Sequence, residues 1–201
     1  MIIIPFRMAE MQENQENGGI FMNTIQTIRS RKSPEAFLSE PLDHETAAAI
    51  AEAGNYAPIF GRIHITVITD PDFIETINQV TLDMMKKSGN EFAEKMAAMP
   101  GYCATRNAQV LLVLSAPGGM DAMGFHMANV SCAAENMLLA ATELGVGSRF
   151  MMGPVMALRT EQLLHKLLLP EGFVPLVVVA LGKTDEPFEE RQKNCDNISY
   201  M

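Results

Sequence analysis

Tryptophan is absent from this chain of 201 residues, whereas methionine occurs 16 times. A Met-rich, Trp-free chain is expected to have a soft, adaptable interior rather than one fixed by large rings. Cations are scarce as well: 15 Lys and Arg face 24 Asp and Glu, a formal net charge of −9. That balance excludes a broad basic surface, and with it a nucleic-acid partner. Cysteine is sparse. Cys103, Cys132 and Cys195 are odd in number and lack metal-ligand spacing, which argues against a disulfide framework and for a reducing, cytoplasmic setting. Long hydrophobic runs are missing too. Met1 to Phe6 is short and soon followed by Glu10, Glu13 and Glu16, so it is neither a signal peptide nor a membrane span. No nucleophile triad, Walker loop, zinc signature or dinucleotide fingerprint is present, so no catalytic side chain and no metal ligand is assigned.

What remains is a chain with 48% hydrophobic residues, enough for one core. Residues 1–21 stand apart: Glu10 to Gly19 is polar and reads as disordered. Gly18-Gly19 lies just upstream of Met22, where two glycine codons can spell a ribosome-binding site. Met22 is therefore read as the native start, with residues 1–21 a translated leader. The alternative is a flexible arm that wraps a partner. Residues 22–201 form a single domain.

Residues 23–31 read as a short amphipathic helix, and Ser33-Pro34-Glu35 as the start of a second. Asp43 caps a helix over 44–55, which Ala57-Pro58 breaks. Ile63 to Thr69 reads as a strand and 72–98 as helical with a break at Ser88-Gly89-Asn90. Val110 to Leu114 and Val174 to Leu181 are continuous apolar runs of strand length. Between them, 121–144 is a long helix apolar nearly all round, closed by Gly145. Such a helix is buried in a core or an interface, and Cys132 on it reads as a small hydrophobe. Arg149 to Met152 is extended, and Thr160 to Leu169 is an amphipathic helix. The order is α+β.

One local feature runs against the acidic whole. Arg29, Arg31 and Lys32 lie within four residues, just before the expected helix start at Ser33. A helix N-terminus offers free N–H groups and a positive dipole, so the cluster is a candidate anion site. The alternative is a solvated basic helix C-terminus. The histidines His44, His64, His126 and His165 are scattered and read as structural or surface residues. Met84, Met85, Met96 and Met99 either form a deformable pocket wall or seat a helix on the core.

Arg31-Lys32-Ser33-Pro34-Glu35-Ala36-Phe37 resembles the opening motif of the flavin-dependent nitroreductase family. Ala57-Pro58 resembles that family's Ala-Pro-Ser segment. Ala134 to Ala141, followed by Leu144-Gly145-Val146-Gly147-Ser148, is similar to its central helix and glycine turn. The run from Val174 to Gly182, then Arg191, is similar to its C-terminal segment. The likeness spans about residues 24–195.

The resemblance implies an α+β nitroreductase-like fold: a central, mostly antiparallel sheet flanked by helices, in an intertwined homodimer with FMN at the interface. It implies that Arg31, Lys32 and Ser33 hold the FMN phosphate, with Arg191 approaching it. Pro58, Ile59, Phe60 and Arg62 would border the flavin ring, and Met151, Met152 and Gly153 would lie against its other part. Gly145 and Gly147 would shape the turn. The implied reaction is ping-pong: NADH or NADPH gives a hydride to flavin N5, and a nitroaromatic, quinone or similar small molecule accepts the electrons. Two departures stand out. Glu35 occupies a position where the family often has a second basic residue. The turn Ala57 to His64 lacks the family's Ser, Asn, Gln and Trp, so the missing tryptophan falls beside the implied flavin. These departures suit an alternative: a degenerate relative that binds flavin without turnover, in storage, sensing or assembly.

Overall fold

The apolar runs pair into one antiparallel sheet. The computed structural model describes residues 23–119, 123–194, 196–199 and 201. The expectations for residues 1–21, Met22 and Cys195 lie outside these. Strands β1 (His64–Ile68), β2 (Val110–Pro117), β3 (Gly147–Met151) and β4 (Phe173–Gly182) stand in the order β1-β2-β4-β3, and every neighbouring pair is antiparallel. The two central strands are the continuous apolar runs. Both are buried almost throughout, because helices cover both faces of the sheet.

Alternation along β2 and β4 splits the core in two. Leu112, Leu114, Val177 and Val179 face one way. They pack against α2 (His44–Ala53) and α5 (Met123–Glu143). Leu111, Val113, Val178 and Ala180 face the other way. Their cover is α3 (Pro71–Lys86), α6 (Gly153–Leu158) and α7 (Glu161–Leu164). Helix starts follow the sequence. Asn23 and Gln26 form a capping box on α1 (Thr24–Ser30), Asp43 caps α2 through the Thr46 N–H, and Asp70 caps α3 with Pro71 in its first turn. The expected break separates α3 from α4 (Glu91–Ala98), with Asn90 as the new cap. Met84 packs against the core and Met85 against a small cluster under α4, so these two seat helices.

Three expectations need correction. No helix starts at Ser33: residues 31–43 are irregular, and Glu35 is an exposed loop residue rather than a first-turn acid. The Thr160–Leu169 helix is shorter than read, passing into a 3-10 turn that ends at Leu167, with Leu168 left-handed at φ 50°. Cys132 is exposed rather than buried. α5 buries one stripe, Val130, Ala133, Ala134, Met137, Leu138 and Ala141, and leaves Phe125 and Cys132 open. No helix among the described residues is long and apolar enough to cross a membrane.

Candidate functional site

The basic cluster sits where α1 docks on α5. Two α5 carboxylates, two turns apart, receive it: Thr27 donates its hydroxyl to Glu143 at 2.8 Å, and Arg31 Nε lies 3.5 Å from Glu135 Oε1. The same guanidinium donates to Ser33 Oγ at 3.3 Å. Arg31 is thus oriented from both sides while its other N–H groups stay available. Lys32 is half-buried and Ser33 exposed. Among the described residues the Lys32 ammonium has no ion-pair or hydrogen-bond partner, whereas Arg29 is shared with Glu190 at 3.5 Å. Arg191 arrives from the C-terminal segment, but its guanidinium donates to the carbonyls of Ile28 and Arg29 at 3.4 and 3.1 Å. It caps the end of α1, where carbonyls lack helical partners.

Beyond Ser33 the chain crosses the ends of β3 and β4, and two glycines make the crossing possible. Gly147 and Gly182 are paired in register. A Cβ on Gly182 would lie 2.7 Å from Phe37 Cβ, and one on Gly147 would lie 3.1 Å from Pro34 Cγ. Arg149 on β3 reaches back, and its Nη1 donates to the carbonyls of Ser33 at 3.2 Å and Pro34 at 2.8 Å. The strand then runs on to buried Met151, half-exposed Met152, and Gly153 at the start of α6. So the fold joins Arg31, Lys32 and Ser33 to the strand that ends at Met151 and leads into Met152 and Gly153.

The turn Pro58 to Arg62 lies elsewhere on α5. Asn129, 5% exposed, clips it: the Phe60 N–H donates to Asn129 Oδ1 at 3.0 Å, and Asn129 Nδ2 donates to the Phe60 carbonyl at 2.6 Å. Ile59 packs on the core, Gly61 takes φ +99°, and Pro58 is exposed. Phe60 is 82% exposed and meets Phe125, 68% exposed, at a ring separation of 6.4 Å. Arg62 lies over the Phe173 ring at 5.6 Å. Asn129 precedes Glu135 by six residues, or about 9 Å along the helix axis. One helix therefore fixes both the turn and the basic loop.

From the sequence, Asn129 and Arg149 had no assigned role, and Glu135 entered only within the Ala134 to Ala141 resemblance. The signal for the first two is their polarity on an otherwise apolar helix. Arg149 carries no local signal, because its partners lie more than a hundred residues upstream.

A profile of the nitroreductase family matches residues 28–183. Among solved structures, a nitroreductase with bound FMN from Bacteroides fragilis is 25% identical with a TM-score of 0.77, covering 90% of this chain and 99% of its own. A nitroreductase with bound FMN from Desulfitobacterium hafniense has the same TM-score and coverages at 23% identity. The NADPH:FMN oxidoreductase of Vibrio harveyi, solved with NAD+, is 21% identical with a TM-score of 0.64, covering 88% of this chain and 75% of its own. No curated protein matches the chain. With its four-stranded antiparallel sheet between helical layers and a family match over most of its length, this chain belongs to the nitroreductase family.

Proposed function

We propose that the chain is an FMN-dependent oxidoreductase that works as a homodimer. The carrying observation is the convergence of Arg31, Lys32 and Ser33 on a loop packed against β3. The donor set suits a phosphate monoester: one oriented guanidinium, one ammonium without a described partner, and one exposed hydroxyl. Arg191 supports this set indirectly, by holding the end of α1. FMN, when bound, takes a hydride from NADH or NADPH and passes electrons to a small acceptor such as a nitroaromatic or a quinone. Met151, Met152 and Gly153 would border the ring on one side, and Pro58, Ile59, Phe60 and Arg62 on the other. The exposed Phe60 and Phe125, whose rings meet on the surface, support a homodimer, since contiguous exposed apolar surface marks an interaction site.

Titration with FMN, followed by flavin fluorescence, tests the cofactor. Saturable binding is expected, and Arg31→Ala should weaken it at least tenfold, the loss of one charge-assisted contact of about 1.5–3 kcal/mol. Unchanged affinity in Arg31→Ala would remove the phosphate assignment. Sedimentation at the mass of one 22.1 kDa chain would remove the homodimer.

One observation favours a second reading. Arg62 is the charged donor on the Pro58 to Arg62 turn, and its guanidinium lies over the Phe173 ring. A binding protein without turnover would tolerate that. Anaerobic NADH or NADPH separates the two: bleaching of the yellow colour supports the reductase, and persistence supports the binder.

A further inference from the structure

We infer that Arg149 is the positioning residue that holds the phosphate loop in shape, doing the work a helix N-terminus was expected to do. This rests on the phosphate reading of the Arg31-Lys32-Ser33 loop. Three observations carry it. First, the loop has no regular structure of its own. Its described backbone–backbone bonds lie at its two ends, Arg31 N–H to the Thr27 carbonyl, then Phe37 N–H to the Arg106 carbonyl and Leu38 N–H to the Lys183 carbonyl. Between them Glu35 is tied by side chains, its N–H donating to Glu186 and its carbonyl accepting from Arg106. The Ser33 and Pro34 carbonyls receive their described hydrogen bonds from Arg149 alone, and the partly buried one, that of Pro34, requires a donor. Second, the contact is packed as well as bonded. Pro34 is buried, and its ring lies so close over Gly147 that a Cβ there would sit at 3.1 Å. Strand and loop are thus locked two residues from Arg149.

Third, the charge is not cancelled. Arg29 and Arg31 each have a carboxylate partner. Among the described residues no carboxylate lies within ion-pair distance of Arg149 or Lys32. Two carbonyl dipoles hold one nitrogen of the Arg149 guanidinium, while Nε and Nη2 have no described partner. The cations without a described carboxylate partner at the loop are therefore Lys32 and Arg149, with the Glu186 carboxylate engaged by the Glu35 N–H instead, in a protein that is otherwise acidic. Arg149 fixes the backbone that presents Ser33 and adds attraction for a dianion.

The test uses the full chain with Arg149→Met, which keeps the apolar stem, and Arg149→Lys, which keeps a donor and the charge. Two readouts are taken. Amide hydrogen exchange on the flavin-free protein should rise at least tenfold in residues 33–38 of Arg149→Met, with the sheet unaffected, and Arg149→Lys should recover part of the protection. The ratio of riboflavin to FMN dissociation constants reports the phosphate alone. It should fall at least tenfold in Arg149→Met while riboflavin affinity stays within twofold of wild type. Exchange in 33–38 that does not change overturns the positioning role. A fall in riboflavin affinity equal to that in FMN affinity overturns it too, as general loosening. If wild type binds FMN no better than riboflavin, the phosphate reading fails by itself, and the exchange readout still decides whether Arg149 holds the loop.

Discussion

Alanine at Gly182 provides the sharpest test of how the candidate site is built. A methyl there would lie 2.7 Å from Phe37 Cβ, 2.8 Å from Cγ and 3.1 Å from Cδ1. The Phe37 Cβ is fixed by the backbone, so no rotamer moves it aside. Either the loop lifts or the end of β4 shifts, and overpacking of this kind costs about 1–3 kcal/mol. Phe37 is 4% exposed, and Phe37→Ala by itself should cost about 3–5 kcal/mol through lost burial and a cavity. The double variant is the informative one. With the ring gone, residue 37 has space to retreat, and the new methyl fills part of the hole. The Gly182→Ala penalty should then shrink by at least about 1 kcal/mol, a coupling expected only of residues in contact. Urea unfolding followed by circular dichroism measures all four corners of the cycle. In thermal melts each kcal/mol should appear as about 2–4 °C for a chain of this size. If the Gly182→Ala penalty is the same in both backgrounds to within about 0.5 kcal/mol, the proposed packing of loop on glycine is wrong.

Asn129→Ala should leave the Phe60 N–H and carbonyl without their partners. Phe60 is exposed, so water repays part of the loss, and about 1–2 kcal/mol of destabilisation is expected; faster proteolysis within residues 58–62 is the check. Asp43 is held below its ordinary pKa of 3.8, first by its hydrogen bond from the Thr46 N–H. Its folded pKa is depressed, so its contribution is complete above the unfolded value and fades as pH falls through the folded one. Asp43→Asn should keep the cap but lose that acid-side dependence, whereas Asp43→Ala should cost about 1 kcal/mol at neutral pH; urea midpoints across pH 2–7 would show both.

Much of the architecture was legible because its causes are local. Asp43 caps a helix where the sequence reading placed the cap, and the helical stretch breaks at Ser88-Gly89-Asn90 as expected, since caps and breaks need only residues within one turn. The runs at Val110 and Val174 became central strands because unbroken β-branched and leucine sequence suits burial on both faces. Cys132 misled because a stripe of small residues shows that a helix packs, not which face meets its own core.

The loop after Arg31 failed for a different reason, and the magnitudes say why. Ser33-Pro34-Glu35 carries sound helix-start chemistry, but Pro41 lies only seven residues past Pro34. A helix between them would hold about one and a half turns, which stands only where tertiary packing supports it, and here the packing favours the extended form. Extended backbone instead lets Phe37 drop into the gap above Gly182, worth about 1.5–3 kcal/mol in burial. It also lets Arg149 satisfy two carbonyls. Those gains involve residues 147, 149 and 182, more than a hundred positions away, so no window along the chain contains them. The basic cluster was visible in composition because charge is countable. The backbone that presents it was not, because its shape is set by two glycines and an arginine on distant strands.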